Sequence, residues 1–199
     1  MNLMRLCLLL ICLPSLVSAA PIAGLKPTPH YHIDVAGNLQ LNVDAPRLLT
    51  VGRLGMSDRL DAGLALGFLA GDITGMTIGV PARYLWLQQS QTKEIARITS
   101  DMWFAITQAS PVMLTELRGT VSAAHERNLI GPQSPTELRI TVGASMLNID
   151  ADALNDNLQF HLVALGGFGV HLLKEWICSI EAGLIGEAGV VNLEASYQF

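Results

Sequence analysis

The chain has 199 residues, of which 50% are apolar, 15% charged and 6% aromatic. That length suits one domain, and the composition excludes a disordered chain, which needs low hydrophobicity and high charge. With 12 Lys and Arg against 17 Asp and Glu, a nucleic-acid binder built on a basic face is excluded as well.

Residues 1–19 read MNLMRLCLLLICLPSLVSA. Arg5 supplies one positive charge, Leu6 to Leu13 run without a polar residue, and Val17-Ser18-Ala19 carries the short side chains a signal peptidase reads. Pro14 interrupts a run already too short to span a bilayer, which takes about 20 apolar residues. A cleaved secretory signal is therefore expected at 1–19, with 20–199 as the folded domain. Cys7 and Cys12 leave with the signal, so Cys178 stands alone and no intramolecular disulfide is expected.

Beyond the signal, apolar residues recur with period two, the spacing of a strand with unlike faces. In Leu60–Ala70 the even positions are Leu, Ala, Leu, Leu, Phe and Ala, and the odd ones include Asp61, Gly63 and Gly67. In Leu138–Met146 one face is Leu, Ile, Val, Ala and Met, the other Arg, Thr, Gly and Ser. The pattern predicts ten strands: 30–41, 47–55, 58–70, 75–87, 95–107, 112–125, 136–147, 158–171, 175–185 and 189–199. In 47–55 both faces are mixed, and Pro81 removes a ladder donor from 75–87, which predicts a bulge there. Turn formers fill the connections, as in Asp44-Ala45-Pro46, Gly71-Asp72, Ser110-Pro111 and Asn155-Asp156-Asn157. The longest connections fall at about 126–135 and 148–157. An eight-strand count follows if the first two strands form one irregular entry segment.

Alternating strands build either a soluble barrel with its apolar face inward or a membrane barrel with that face toward lipid. Soluble domains carry about 25% charged residues, well above the 15% here. The polar faces are rich in Gly, Ala, Ser and Thr, which suits a cramped lumen. The membrane alternative turns Asp34, Arg53, Asp61, Arg83, Arg97, Asp101, Glu116, Arg118, Glu137, Arg139, Glu175, Glu181 and Glu194 inward. A cation on the lipid face costs about 2–4 kcal/mol at midplane, which enforces such sorting. Because Glu116/Arg118 and Glu137/Arg139 share a spacing on adjacent strands, they are expected to cross-pair. One rival exists: 157–173 lacks Asp, Glu, Lys and Arg and approaches the length of a membrane helix, but Gln159, His161 and three glycines dilute it.

The chain ends Val191-Asn192-Leu193-Glu194-Ala195-Ser196-Tyr197-Gln198-Phe199. Phe, Tyr, Ala, Leu and Val alternate back from the terminus, and this ending resembles the C-terminal assembly signal of Gram-negative outer-membrane β-barrel proteins. The resemblance covers the mature chain in pattern and the last nine residues in motif. It implies an all-β fold, a closed antiparallel up-and-down transmembrane barrel with short loops, located in the outer membrane. It further implies contact with outer-membrane lipid and with the barrel-assembly machinery through Tyr197 and Phe199, and it places both termini in the periplasm. Under that orientation Tyr31, Tyr84, Trp86, Trp176, Tyr197 and Phe199 fall at the periplasmic edge, and Phe68, Phe104 and Phe160 toward the other rim, as two aromatic girdles.

Some small barrels of this resemblance are enzymes acting on lipid, such as lipid A deacylases and acyltransferases, and need a His near a Ser or Asp. His161 lies beside Gln159, below Asp150-Ala151-Asp152, with no nucleophile pattern. His161 and His171 read as lumen histidines held in polar networks. His30 and His32 share a face, but two ligands without a third make no metal site. No catalytic residue, metal or cofactor is expected. The expectation is an outer-membrane barrel, structural or a narrow passive pore, whose lumen is largely filled by Arg97, Asp101, Glu116, Arg118, Glu137, Arg139, Glu181 and Glu194. The acids outnumber the bases inside, so any leak is expected to favour cations. A lipid-acting barrel enzyme and a soluble periplasmic barrel binding a small apolar ligand are the alternatives.

Overall fold

The computed structural model describes residues 28, 32–42, 46–70, 74–88, 96–110, 112–127, 135–151, 154–172 and 176–199, with side chains left undescribed at 151 and 154–157. The expected signal at 1–19, Tyr31, His30, Asp152 and Glu175 lie outside these residues.

Ten strands appear among the described residues: β1 (Ile33–Asn42), β2 (Arg47–Gly55), β3 (Leu60–Leu69), β4 (Gly75–Leu87), β5 (Arg97–Ala109), β6 (Val112–Arg127), β7 (Thr136–Ala151), β8 (Leu154–His171), β9 (Trp176–Ile185) and β10 (Ala188–Gln198). Each pairs antiparallel with its chain neighbours, and β1 pairs with β10 to close the barrel. The count is ten and not eight: β1 and β2 are separate strands, in register from Ile33↔Leu54 to Gln40↔Arg47. The stretch that rivalled a membrane helix is strand β8 from 157 to 171. Closure leaves no strand of the ring without neighbours on both sides, the condition for crossing a bilayer with strands.

Period two in the sequence becomes alternation of burial in the fold. Strand β5 reads buried at Arg97, Thr99, Asp101, Trp103, Ala105, Thr107 and Ala109, with Met102, Phe104 and Ile106 exposed between them. The outer face is a belt of exposed aliphatic and aromatic side chains, among them Leu64, Ile140 (67% exposed), Phe160 (73%) and Leu162 (78%). This is the reverse of a soluble barrel.

Two local expectations change. Pro81 makes no bulge: the β3–β4 ladder skips two pairs opposite it, then resumes in the same register from Ala62↔Ala82 to Ala65↔Gly79. A missing N–H costs a bond, and the neighbouring pairs hold the register. The β4 bulge lies instead between Leu85 and Leu87. The long connection expected at 148–157 is also replaced, because β7 continues to Ala151 and β8 begins at Leu154. Strand β8 pairs with β9 only from Val163 onward, so Leu154–Leu162 rests on β7 alone among the described residues.

The two rims differ. At the hairpin rim the connections are 43–46, 70–74, 110–111, 152–153 and 186–187, none above five residues. The terminal rim, where β1 begins and β10 ends, carries 56–59, 88–96, 128–135 and 172–175.

Candidate functional site: the barrel lumen

Among the described residues, seven acidic side chains (Asp34, Asp61, Asp101, Glu116, Glu137, Glu181, Glu194) and six arginines (Arg47, Arg53, Arg83, Arg97, Arg118, Arg139) are buried inside the barrel. Every inward charge expected from parity and lying within the described residues is in this set, with Arg47 added. Burying so many charges is tolerable only when partners face one another in the low-dielectric interior.

Most of these charges gather toward the terminal rim. Arg83 Nε donates to Asp101 Oδ1 at 2.6 Å, across adjacent strands in register. Arg53 Nη1 lies 3.7 Å from Asp61 Oδ1. Glu137 receives Arg97 from two strands away, over β6, and Arg139 from its own strand at 2.9 Å, and Arg139 Nη1 reaches Glu181 Oε1 at 3.5 Å. Arg97 therefore pairs with Glu137, and Asp101 with Arg83. The run Arg97–Glu137–Arg139–Glu181 ties β5, β7 and β9 together.

Higher in the barrel, Glu116 is a hub. Trp103 Nε1 donates to its Oε2 at 3.2 Å, Ser145 Oγ donates to Oε1 at 3.3 Å, and Arg118 Nη2 stands 3.0 Å from Oε1. The Trp103 ring lies across β4 at Gly79, where a Cβ would sit 2.5–2.9 Å from ring carbons. Only glycine leaves room for that ring. Trp103 escaped notice in the sequence, although it shares parity with Arg97 and Asp101.

The expected cross-pairing of Glu116/Arg118 with Glu137/Arg139 does not occur. Each Glu pairs with the Arg two residues along its own strand. In the antiparallel register Arg118 stands opposite Ser145 and Arg139 opposite Ala124. Six residues of β6 separate the two levels, about 20 Å of strand.

Under the hairpin rim one part of the lumen wall is apolar: Leu69, Ala109, Val112, Leu114, Leu147, Ile149, Val163, Leu165, Ile185 and Val190 form one buried cluster drawn from seven strands. At the same height the wall also carries buried Arg47, Gln40, Thr77 and Thr107, and Arg47 Nη2 donates to Thr107 Oγ1 at 3.4 Å. A smaller cluster of Ala36, Leu49, Val51, Ala65, Trp103 and Ala105 fills the middle.

Two of the candidate histidines have hydrogen-bond partners. His161 Nε2 lies 3.3 Å from Gln159 Oε1, and its Nδ1 occupies space that a Cβ on Gly186 would enter at 2.5 Å, at a backbone φ of +62°. His32 Nδ1 is 2.9 Å from the Phe199 carbonyl oxygen and tethers the entry of β1 to the end of β10. No group of three His, Cys, Asp or Glu suited to a metal occurs among the described residues.

On the outer face, aromatic rings cluster at the terminal rim. Tyr84 meets Trp86 edge-on at 4.8 Å, Trp176 meets Tyr197 at 5.1 Å, and Tyr197 meets Phe199 at 4.7 Å. Phe68 stands near the opposite rim, whereas Phe104 and Phe160 point outward well within their strands, opposite Leu117 and Met146. The second girdle is thus looser than the first.

Fold and outer face define the class: a small closed up-and-down barrel of the outer-membrane type. No protein-family model matches the chain, and no curated protein does. Among solved structures it is similar to a KdgM porin, at 12% identity over 83% of this chain and 99% of that one, with a TM-score of 0.43. It is also similar to the N-terminal β-barrel domain of Pseudomonas aeruginosa OprF (10% identity, 85% and 98% covered, TM-score 0.38) and to Acinetobacter baumannii outer membrane protein Omp33 (8%, 85% and 98%, 0.38). The likeness is one of fold.

Proposed function

We propose that the protein is an integral outer-membrane barrel acting as a sealed structural element of the envelope and not as an enzyme or an open solute channel. The observation that carries this reading is the inversion of the molecule: exposed aliphatic and aromatic residues outside, seven acids and six arginines inside. A soluble periplasmic barrel would expose that outer belt to water, which disfavours it. The seal is supported by buried side chains at both levels of the lumen: paired charges toward the terminal rim and, under the hairpin rim, an apolar cluster beside the Arg47–Thr107 contact. Interiors of barrels with about eight strands are just filled by side chains, and ten strands add modest room. Under the same reading Tyr197 and Phe199 are presented to the barrel-assembly machinery at the β10 end.

The test is twofold. Unheated protein should migrate differently from boiled protein on an SDS gel and partition with the outer membrane. In a planar bilayer, the refolded wild type should give no steady conductance, and Arg118→Ala, which frees Glu116, should give small cation-favouring events together with lower thermal stability. A large anion-selective conductance in the wild type, unchanged by Arg118→Ala, refutes the seal.

A further inference from the structure

Over most of the lumen wall, buried polar side chains answer one another. Arg83 pairs with Asp101, Glu137 with Arg97 and Arg139, and Glu116 accepts from Trp103 and Ser145. Ser122 and Thr141 share a hydrogen bond of 2.8 Å. The pattern breaks along the seam where β1 meets β10. Asn38 and Asn192 are 1% and 3% exposed, yet neither the amide nitrogen nor the amide oxygen of either has a hydrogen-bond partner in the protein. Four polar atoms of two neutral side chains face the interior unmatched, where buried polar groups are otherwise almost always bonded.

Register brings the two amides together. Asn38 stands opposite Glu194 and Gln40 opposite Asn192, so these four buried side chains form a square on the inner face of the seam. Side chains directly opposed across such a pair have Cβ atoms about 4.5–5.5 Å apart, and diagonal ones lie about 7–8 Å apart, within reach of one small molecule placed between them. Toward the terminal rim the same face continues through Ala36 opposite Ser196 to Asp34 opposite Gln198, with no bulky apolar side chain in the way. Toward the hairpin rim it meets buried Arg47 and Val190. Access is therefore from the terminal rim.

The chemistry of the square selects its ligand. Strands β1, β9 and β10 contain no Lys or Arg, and Glu194 lies between the two amides, so an anion is repelled. A bare cation would engage the amide oxygens and leave both amide nitrogens unmatched. A carboxamide donates and accepts at once, and the small group that answers both is a hydroxyl. We propose that Asn38 and Asn192 form an internal binding site for hydroxyl-bearing molecules, filled from the terminal rim by water or by one hydroxyl of a small polyol. Bound there, the hydroxyl completes from the inside a seam that the interior ion pairs leave to the strand ladder. The inference does not rest on whether the lumen conducts.

The experiment reads the two carboxamides directly. Full-length barrel, isotope-labelled on asparagine and refolded in micelles without polyol, is studied by NMR, with the Asn38 and Asn192 side-chain signals assigned through bonds from the backbone so that no variant has to fold. Dipolar transfer from water should reach both carboxamides severalfold more strongly than it reaches the Trp103 indole N–H, which is buried and bonded to Glu116. It should persist in Ser196→Ala, which removes a neighbouring hydroxyl able to relay it. Glycerol then separates the sources: transfer from glycerol protons at the expense of water identifies a polyol site, and unchanged transfer from water identifies a water site. Transfer no stronger than at Trp103 from either source overturns the proposal, and so does transfer that Ser196→Ala abolishes. Bilayer conductance is not read here, so failure of this site and failure of the sealed-barrel reading give different results.

Discussion

Arg83 and Asp101 offer the sharpest test of the buried charge layer. The Arg83 side chain is 2% exposed, and its Nε donates to Asp101 Oδ1 at 2.6 Å. Arg83→Met preserves most of the volume and removes the cation. Asp101 is then left in the interior without its direct partner, a change that costs about 3–5 kcal/mol. Replacing both by apolar residues, Arg83→Met with Asp101→Leu, removes the stranded charge and should return stability to within about 1 kcal/mol of wild type. The coupling across the cycle is therefore expected to be large and favourable. Equilibrium urea unfolding of the barrel in lipid vesicles, followed by tryptophan fluorescence, measures it. With a slope of about 2 kcal/mol/M, the single variant should lower the midpoint by about 2 M and the double variant by far less. If Arg83→Met unfolds within about 0.5 M of wild type, or if the two substitutions add without coupling, the pair is solvated and the lumen is not the low-dielectric interior described above.

Three further outcomes are expected. Gly79→Ala places a Cβ within 2.5–2.9 Å of the Trp103 ring and should cost about 1–3 kcal/mol of stability, whereas Gly119→Ala, with nothing within 4 Å, should be close to neutral in the same urea titration. Leu64→Arg, on the exposed face in the middle of β3, should cost about 2–4 kcal/mol in vesicles, and equal stability to Leu64→Ala would place that face away from lipid. Deleting Phe199, whose N–H bonds to the Ile33 carbonyl at 2.9 Å and whose ring packs on Tyr197, should reduce outer-membrane levels more than Leu64→Ala, as judged by immunoblot of membrane fractions.

Parity made the two faces of the barrel legible before any coordinates, because a strand offers each side chain only two directions. Arg53, Asp61, Arg83 and Glu181 accordingly lie on the buried face, and β2 and β4 occupy 47–55 and 75–87. Height along the strand is a different quantity. It depends on register, which parity does not encode. Glu116 and Arg139 share a face yet stand at different levels, and Arg97 finds Glu137 two strands away while its near neighbour in sequence, Asp101, takes Arg83. The β7–β8 hairpin differs from the sequence expectation for a related reason. Asn155, Asp156 and Asn157 are turn formers in isolation, but β7 offers them a ladder, with Asn157 opposite Ile149. Thr28 could not be found this way at all, since it precedes the alternating pattern and is held by one backbone N–H, bonded to Asp61 Oδ2.

The distribution of connections bears on where such a barrel meets its surroundings. The connections at the hairpin rim have five residues or fewer, whereas 88–96 and 128–135 lie at the terminal rim. Binding surfaces are commonly built on loops carried by a rigid scaffold, and the hairpin rim supplies little chain from which to build one. The charged side of the lumen, the longer connections and the Thr28–Asp61 contact all lie at the opposite end. Opening of the lumen is then expected to begin from the terminal rim. The buried cluster from Leu69 to Val190 and the Arg47–Thr107 contact lie under the hairpin rim, so a solute passing the charged level would still meet a second set of buried side chains. Two levels cannot be removed by one substitution. Arg118→Ala should therefore loosen the level around Glu116 without producing a wide channel, and a wide channel from that single change would mean that the side chains under the hairpin rim do not fill the lumen.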